Sequence, residues 1–141
     1  MNYENEINEI LLSIKPNEYE PLNIIKERRD SIVLSLFQKF IKYQNNETNL
    51  KESLEILEEY EYIEDITELK KGDTIRYFNI KAFYDLKLCN NVTIIDTSKN
   101  SEKFVVRNGM YINTIKKNNY FFKKIPKNTL VKMKLMELIQ D

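Results

Sequence analysis

Lys103-Phe104-Val105-Val106-Arg107-Asn108-Gly109-Met110-Tyr111-Ile112-Asn113-Thr114-Ile115-Lys116 decides the fold class. β-Branched and aromatic residues flank Asn108-Gly109, a dipeptide that readily takes the positive φ values of a two-residue hairpin turn. The spacing predicts a hairpin with one arm over Lys103 to Arg107 and the other over Met110 to Lys116. The pattern continues on both sides. Thr74 to Ile80 is β-branched and aromatic, and Asn90-Asn91 separates Leu86 to Leu88 from Val92 to Thr97 as a second tight turn. Lys117-Asn118-Asn119 precedes a strand from Tyr120 to Ile125, which Pro126 ends. Strands about ten residues apart, with turn residues between them, predict a five-stranded antiparallel sheet curling into a small barrel or half-barrel.

Upstream of Thr74 the period becomes helical. Ile7, Ile10, Leu11 and Ile14 occupy the i, i+3, i+4, i+7 positions of one helical face ahead of Pro16. Pro21 suits a first helical residue, and Leu22, Ile25, Ile32, Val33, Leu36, Phe37, Phe40 and Tyr43 keep helical spacing up to Asn45-Asn46. The run Lys26-Glu27-Arg28-Arg29-Asp30 covers every direction around that helix, which places this part of it in solvent. Asn49 and Glu52 resemble a capping box, and Leu50, Leu54 and Leu57 form the stripe of a third helix ending near Tyr60. Asp65 to Leu69 can form one helical turn, and Lys70-Lys71-Gly72-Asp73 is a turn with glycine free to take positive φ. Leu130, Val131, Met133, Met136, Leu138 and Ile139 suggest a closing C-terminal helix. The expectation is one α+β domain over 1–141, with an acidic helical half (1–62) and a basic, β-rich half (63–141).

The charges divide the same way. The chain carries 22 basic and 22 acidic residues over its 141 positions. Cut after Lys70, it has 8 basic against 16 acidic residues before and 14 against 6 after, that is −8 and +8. At 17.0 kDa roughly two-thirds of the unfolded surface can be buried, so no staple is required. No apolar run approaches the roughly 20 residues of a membrane span, and no membrane partner is expected. The chain has no histidine, no tryptophan, one cysteine and two glycines. That composition excludes histidine-dependent triads, histidine-ligated metals, glycine-rich phosphate loops and an internal disulfide. Cys89 lacks a histidine base and reads as an ordinary reduced residue. Met1-Asn2-Tyr3-Glu4 carries acid where a signal peptide carries base, which predicts an intracellular protein and sets aside the sequons at Asn46 and Asn91. Neither an enzymatic activity nor a cofactor is expected.

Three constellations remain. Glu58, Glu59, Glu61, Glu64, Asp65 and Glu68 offer oxygen ligands for Mg²⁺ or Ca²⁺, but without EF-hand spacing they read first as a solvated acidic face. Basic residues crowd the later strands, with Glu102 the sole acid from Thr97 to Lys134. Arg107, Lys116, Lys117, Lys123 and Lys124, interleaved with Tyr120 and Phe121, form a candidate nucleic-acid surface of phosphate-binding cations and stacking rings. Alternation along a strand sends Tyr120, Phe122 and Lys124 one way and Phe121, Lys123 and Ile125 the other, so one set belongs to the core. Arg76, sharing a face with Phe78, reads either as part of a partner-binding surface or as a rim arginine paired to the acidic half. Ile7, Ile10, Leu11 and Ile14 complete the candidate partner-binding set, for a protein partner or a second copy of the chain.

Leu69-Lys70-Lys71-Gly72-Asp73-Thr74-Ile75-Arg76-Tyr77-Phe78 and Lys116-Lys117-Asn118-Asn119-Tyr120-Phe121-Phe122-Lys123-Lys124 resemble the opening and closing elements of a β-module in uncharacterised short proteins of large nucleocytoplasmic DNA viruses. The resemblance spans about residues 65–125 and leaves out the first three helices. It departs at Asn90-Asn91, where the pattern favours Gly-Gly, and at Ile112 to Ile115, where it favours Trp-Ser-Val. It implies a structural or interaction protein of the host cytoplasm, the viral factory or the virion, and brings no catalytic residue with it.

Overall fold

A computed structural model of the chain describes residues 4–6, 8–9, 19–40, 47–82 and 85–139. Residues 4–6 and 8–9 are helical, while Ile7, Ile10, Leu11 and Ile14 lie outside the described residues. The ordered elements are α1 (Leu22–Phe40), α2 (Glu47–Ile56), β1 (Tyr60–Ile63), a 3₁₀ turn (Ile66–Glu68), β2 (Thr74–Ala82), β3 (Asp85–Leu88), β4 (Val92–Asp96), β5 (Lys103–Asn108), β6 (Tyr111–Lys116), β7 (Tyr120–Lys124) and α3 (Lys127–Ile139).

The fold is α+β, as expected, but the sheet is larger than five strands and is not a closed barrel. Six strands form one path in the order β1-β7-β2-β4-β5-β6, and β3 pairs with β2 beside that path. The path ends, β1 and β6, are not paired to one another among the described residues. Every pairing is antiparallel.

Two strand assignments differ from the sequence expectation. The expectation ends the third helix near Tyr60 and assigns no element up to Asp65, but Tyr60–Ile63 is a strand on β7 that buries Tyr60 and Ile63 in different cores. Asn90-Asn91 is not a hairpin turn. Leu88 lies opposite Phe78 and Val92 opposite Ile75, so β3 and β4 run in one direction along the same edge of β2. The Cys89 amide donates to the Tyr77 carbonyl at 2.8 Å, which keeps the intervening chain on that edge. The predicted β5–β6 hairpin is present with its turn one residue later, at Gly109-Met110, since Asn108 faces Tyr111. Gly109 has φ +61 and Met110 is not at positive φ, matching a II′ turn with glycine in its first central position.

The two faces of the sheet have different fates. The inner face curls around Ile63, Ile75, Ile94, Phe104, Val106 and Phe121, and Leu69 after the 3₁₀ turn closes that core. Among the described residues the outer face is covered over β1, β7, β2 and β3, where Tyr60, Phe78, Leu86 and Phe122 meet Val33, Leu36, Phe37 and Leu57 from the helical segment. A third cluster joins Leu22 and Ile25 of α1 to Ile125 and to Leu130 and Met133 of α3. The outer face of β4, β5 and β6 has no helix over it among the described residues.

Candidate functional site

β6 is the last strand of the path and, among the described residues, bonds to β5 alone, so its far edge presents backbone groups that none of them pairs. Around the turn that leads into it, Met110 is 97% exposed, Tyr111 76% and Ile112 57%. An edge strand is ordinarily guarded by lysine, proline or a bulge. Here the guard is Lys116, at the far end, and the turn end is apolar.

The open outer face beside this edge is basic. Register places Arg107 between Thr93 and Ile112, Val105 beside Thr114, and Lys103 opposite Lys116. Arg107, Lys103 and Lys116 are all exposed. Like charges directly across a strand pair are destabilising, so the Lys103–Lys116 pair is an electrostatic cost that an anionic neighbour would relieve. Asp96 lies in register with Val105, and its Oδ1 accepts a hydrogen bond from the Ser98 amide at 2.9 Å.

The sequence-predicted basic and aromatic residues do not form one surface. Phe121 is a core side chain and offers no ring for stacking; Phe122 is equally buried on the opposite face. Both side-chain sets of β7 therefore enter cores, where alternation predicted one. Lys117 donates to the Ser98 carbonyl at 3.0 Å and lies 5.1 Å from the Phe104 ring centroid. Lys123 is half-buried and 3.7 Å from Asp73. Lys124 is exposed at the opposite end of the sheet, opposite Tyr60, and Tyr120 packs against the core beneath the helices. Arg107 and Lys116 both stay exposed on the outer face, Arg107 opposite Ile112 near the turn and Lys116 opposite Lys103 at the far end of the hairpin.

Among the predicted partner-binding residues, Phe78 is fully buried and cannot meet a partner. Arg76 is neither exposed nor paired to a carboxylate of the described residues. Its Nη1 donates to the Cys89 carbonyl at 3.2 Å and its Nε to the Tyr60 hydroxyl at 3.4 Å, with the guanidinium carbon 5.8 Å from the Tyr60 ring centroid. It ties the β3–β4 connection to β1.

Sequence reasoning missed Arg29, which it placed in solvent. Arg29 is 4% exposed, and its Nη1 donates to the carbonyls of Leu57 and Glu58, both at 2.7 Å. Its Nε donates to Asp30 Oδ1 at 2.9 Å. A cation at the carbonyl end of α2 satisfies acceptors that helix geometry leaves orphaned and complements the helix dipole. The spacing did hold a clue: Leu22, Ile25, Arg29, Val33 and Leu36 fall on one face, and the arginine continues that stripe.

The acidic cluster does not assemble. Among the described residues no group of three or more Asp, Glu or Cys side chains could hold a metal ion. Asp65 instead caps the 3₁₀ turn, its Oδ1 accepting from the Thr67 amide at 3.0 Å and hydroxyl at 2.6 Å, and these bonds hold its carboxyl below the usual range. Glu61, half-buried and in register with Lys123, has its carboxyl pushed up by burial, against the pull of that lysine. Burial also raises the Tyr77 phenol, to about 12, with a hydrogen bond to Cys89 adding to the effect. No helix among the described residues is long and apolar enough to cross a membrane. No family model, curated protein or solved structure matches the chain.

Proposed function

We propose that this chain is a non-enzymatic interaction module that takes up an extended, acidic segment of a partner polypeptide along the free edge of β6. The observation that carries the reading is the conjunction of the exposed apolar turn end of that edge, Met110 to Ile112, with the basic face of Lys103, Arg107 and Lys116, which no helix covers among the described residues. An added strand supplies backbone hydrogen bonds for affinity, and its alternate side chains meet the face beside the edge for specificity. A segment with carboxylates on that side would offset the Lys103–Lys116 repulsion. A second copy pairing through the same edge is the other occupant of this kind. The resemblance of residues 65–125 to short viral proteins extends the proposal to a minor virion-associated component.

Ile112→Lys places an ordinary edge guard at an exposed position and leaves every buried residue untouched. Capture by cross-linking in producing cells, together with light scattering on the purified chain, tests the reading. The wild-type chain is expected to assemble with a partner or itself, and Ile112→Lys to lose that assembly while melting normally. A wild-type chain that stays monomeric and cross-links to nothing, or a variant that assembles equally well, contradicts it.

The second reading, nucleic-acid binding by the basic strands, keeps Arg107 and Lys116 but loses the Phe121 ring to the core. It predicts salt-dependent binding of DNA or RNA that Arg107→Glu weakens.

A further inference from the structure

A cleft opens at the end of the β5–β6 hairpin opposite Met110, between the 3₁₀ turn, the β4–β5 loop and the β6–β7 turn. Its two lobes, with volumes of ≈ 560 and ≈ 700 Å³, share Ile66, Thr67, Lys99 and Lys117 and so form one site. Lys70 and Lys71 line one lobe and Lys116 the other, while Glu102 is the sole carboxylate among the described lining residues. Leu69 and Phe104, both members of the inner core, give the cleft a rigid apolar floor.

One wall is fixed. The Lys117 ammonium is held by the Ser98 carbonyl and the Phe104 ring, and the Lys117 amide donates to the Glu102 carbonyl at 2.8 Å. Ser98 has φ 47, the only positive φ at a non-glycine among the described residues. Its amide is tied to Asp96, and its carbonyl also accepts from the Ser101 amide at 2.7 Å. Backbone strain of this kind persists where the surroundings over-determine it, as they do at binding sites.

The electrostatics are unbalanced. Five lysines line a cleft with one carboxylate, and among the described residues none of Lys70, Lys71, Lys99 or Lys116 forms an ion pair. Lysine is a compact point charge with three rotatable donors, suited to phosphoryl oxygens, whereas a planar carboxylate is matched best by arginine's fork. Five such charges spread over two joined lobes call for an anion that carries several charges along its length.

We propose that this cleft binds a chain of phosphoryl groups, with Lys99 and Lys117 at its centre and Lys70, Lys71 and Lys116 along its length. A free oligophosphate and a nucleic-acid strand share that chemistry. The site lies at the other end of the hairpin from Met110 and shares Lys116 with the basic face beside β6; the variants that test it leave Lys116 and the β6 edge untouched.

Calorimetry on the full chain with inorganic tripolyphosphate, ATP and decathymidylate, each at low and high salt, tests the proposal. At least one of the three should bind at low salt and weaken as salt rises. Combining Lys70→Glu with Lys99→Glu, both at exposed positions, should weaken binding about tenfold or more with the melting temperature retained. The charge-matched Lys127→Glu with Lys134→Glu, on α3, should leave it within about twofold. Tripolyphosphate or ATP binding at least as tightly as decathymidylate assigns the site to a free oligophosphate, and the reverse order assigns it to a strand. Failure of all three to bind at low salt, or equal weakening by the two double variants, overturns the proposal.

Discussion

Phe121 and Phe122 are sequence neighbours on β7, and each is fully buried in a different hydrophobic core. Phe121 packs edge-on to Phe104 inside the curl of the sheet, with ring centroids 5.4 Å apart. Phe122 meets Phe78 beneath the helices at 5.7 Å. β7 is therefore the wall that both cores share. Phe121→Ala and Phe122→Ala should each destabilise by about 3–5 kcal/mol, read from urea midpoints. A loss below about 1 kcal/mol at either site would mean that its core is not built as described.

Arg29 links α1 to the end of α2 through the buried Leu57 carbonyl and the part-buried Glu58 carbonyl, so its removal strands at least one acceptor away from water. Arg29→Leu should cost about 2–4 kcal/mol. Arg29→Lys should recover only part of that, because one ammonium cannot serve both the Leu57 and Glu58 carbonyls and the Asp30 carboxylate as the fork does. Full rescue by lysine would reduce the arginine's role to its charge.

Tyr77 gives a pH signature. Its phenol is raised from 10.0 to about 12, so the folded state favours the protonated form. Below pH 10 both folded and unfolded states hold the proton and the stabilisation is fully present. Between pH 10 and about 12 the unfolded state ionises first, and stability falls. Ultraviolet titration should show one tyrosine ionising near 12, absent in Tyr77→Phe, and that variant should lose stability less steeply above pH 10. Identical alkaline profiles would contradict this.

Glu61 carries the corresponding prediction on the acid side. Its folded pKa is raised, so it favours the folded state most when protonated, and that contribution is lost as pH rises above the ordinary carboxyl range. Glu61→Gln should therefore raise the melting temperature at neutral pH, with the gain shrinking toward pH 4. A gain that grows on acidification would reverse the sign of the argument.

Much of this architecture is legible in the chain. The β5–β6 hairpin, the Gly72 turn, the single turn after Asp65 and the closing helix all follow from local turn chemistry and periodicity, which act over a few residues. β1 was hidden because Tyr60 to Ile63 is only four residues long, too short to display alternation, and only pairing with β7 makes it a strand. Asn90-Asn91 misled because an asparagine pair fits a tight turn as well as the irregular crossing between β3 and β4, and the choice rests on which strand receives Cys89. The candidate site was half legible. Arg107 and Lys116 are exposed, which their charge makes legible, but Phe121 and Phe78 look the same in sequence whether a face meets solvent or a second core. The β6 edge could not be read from sequence at all, since being last in a sheet is a property of the topology.

Backbone hydrogen exchange of the assembled full chain against the isolated chain tests the proposed interaction most directly. Strand addition predicts slowed exchange within Tyr111–Lys116 on assembly, with little change in Tyr60–Ile63 at the opposite end of the sheet. An assembly that leaves Tyr111–Lys116 exchanging as in the isolated chain, and protects another surface instead, would contradict the account.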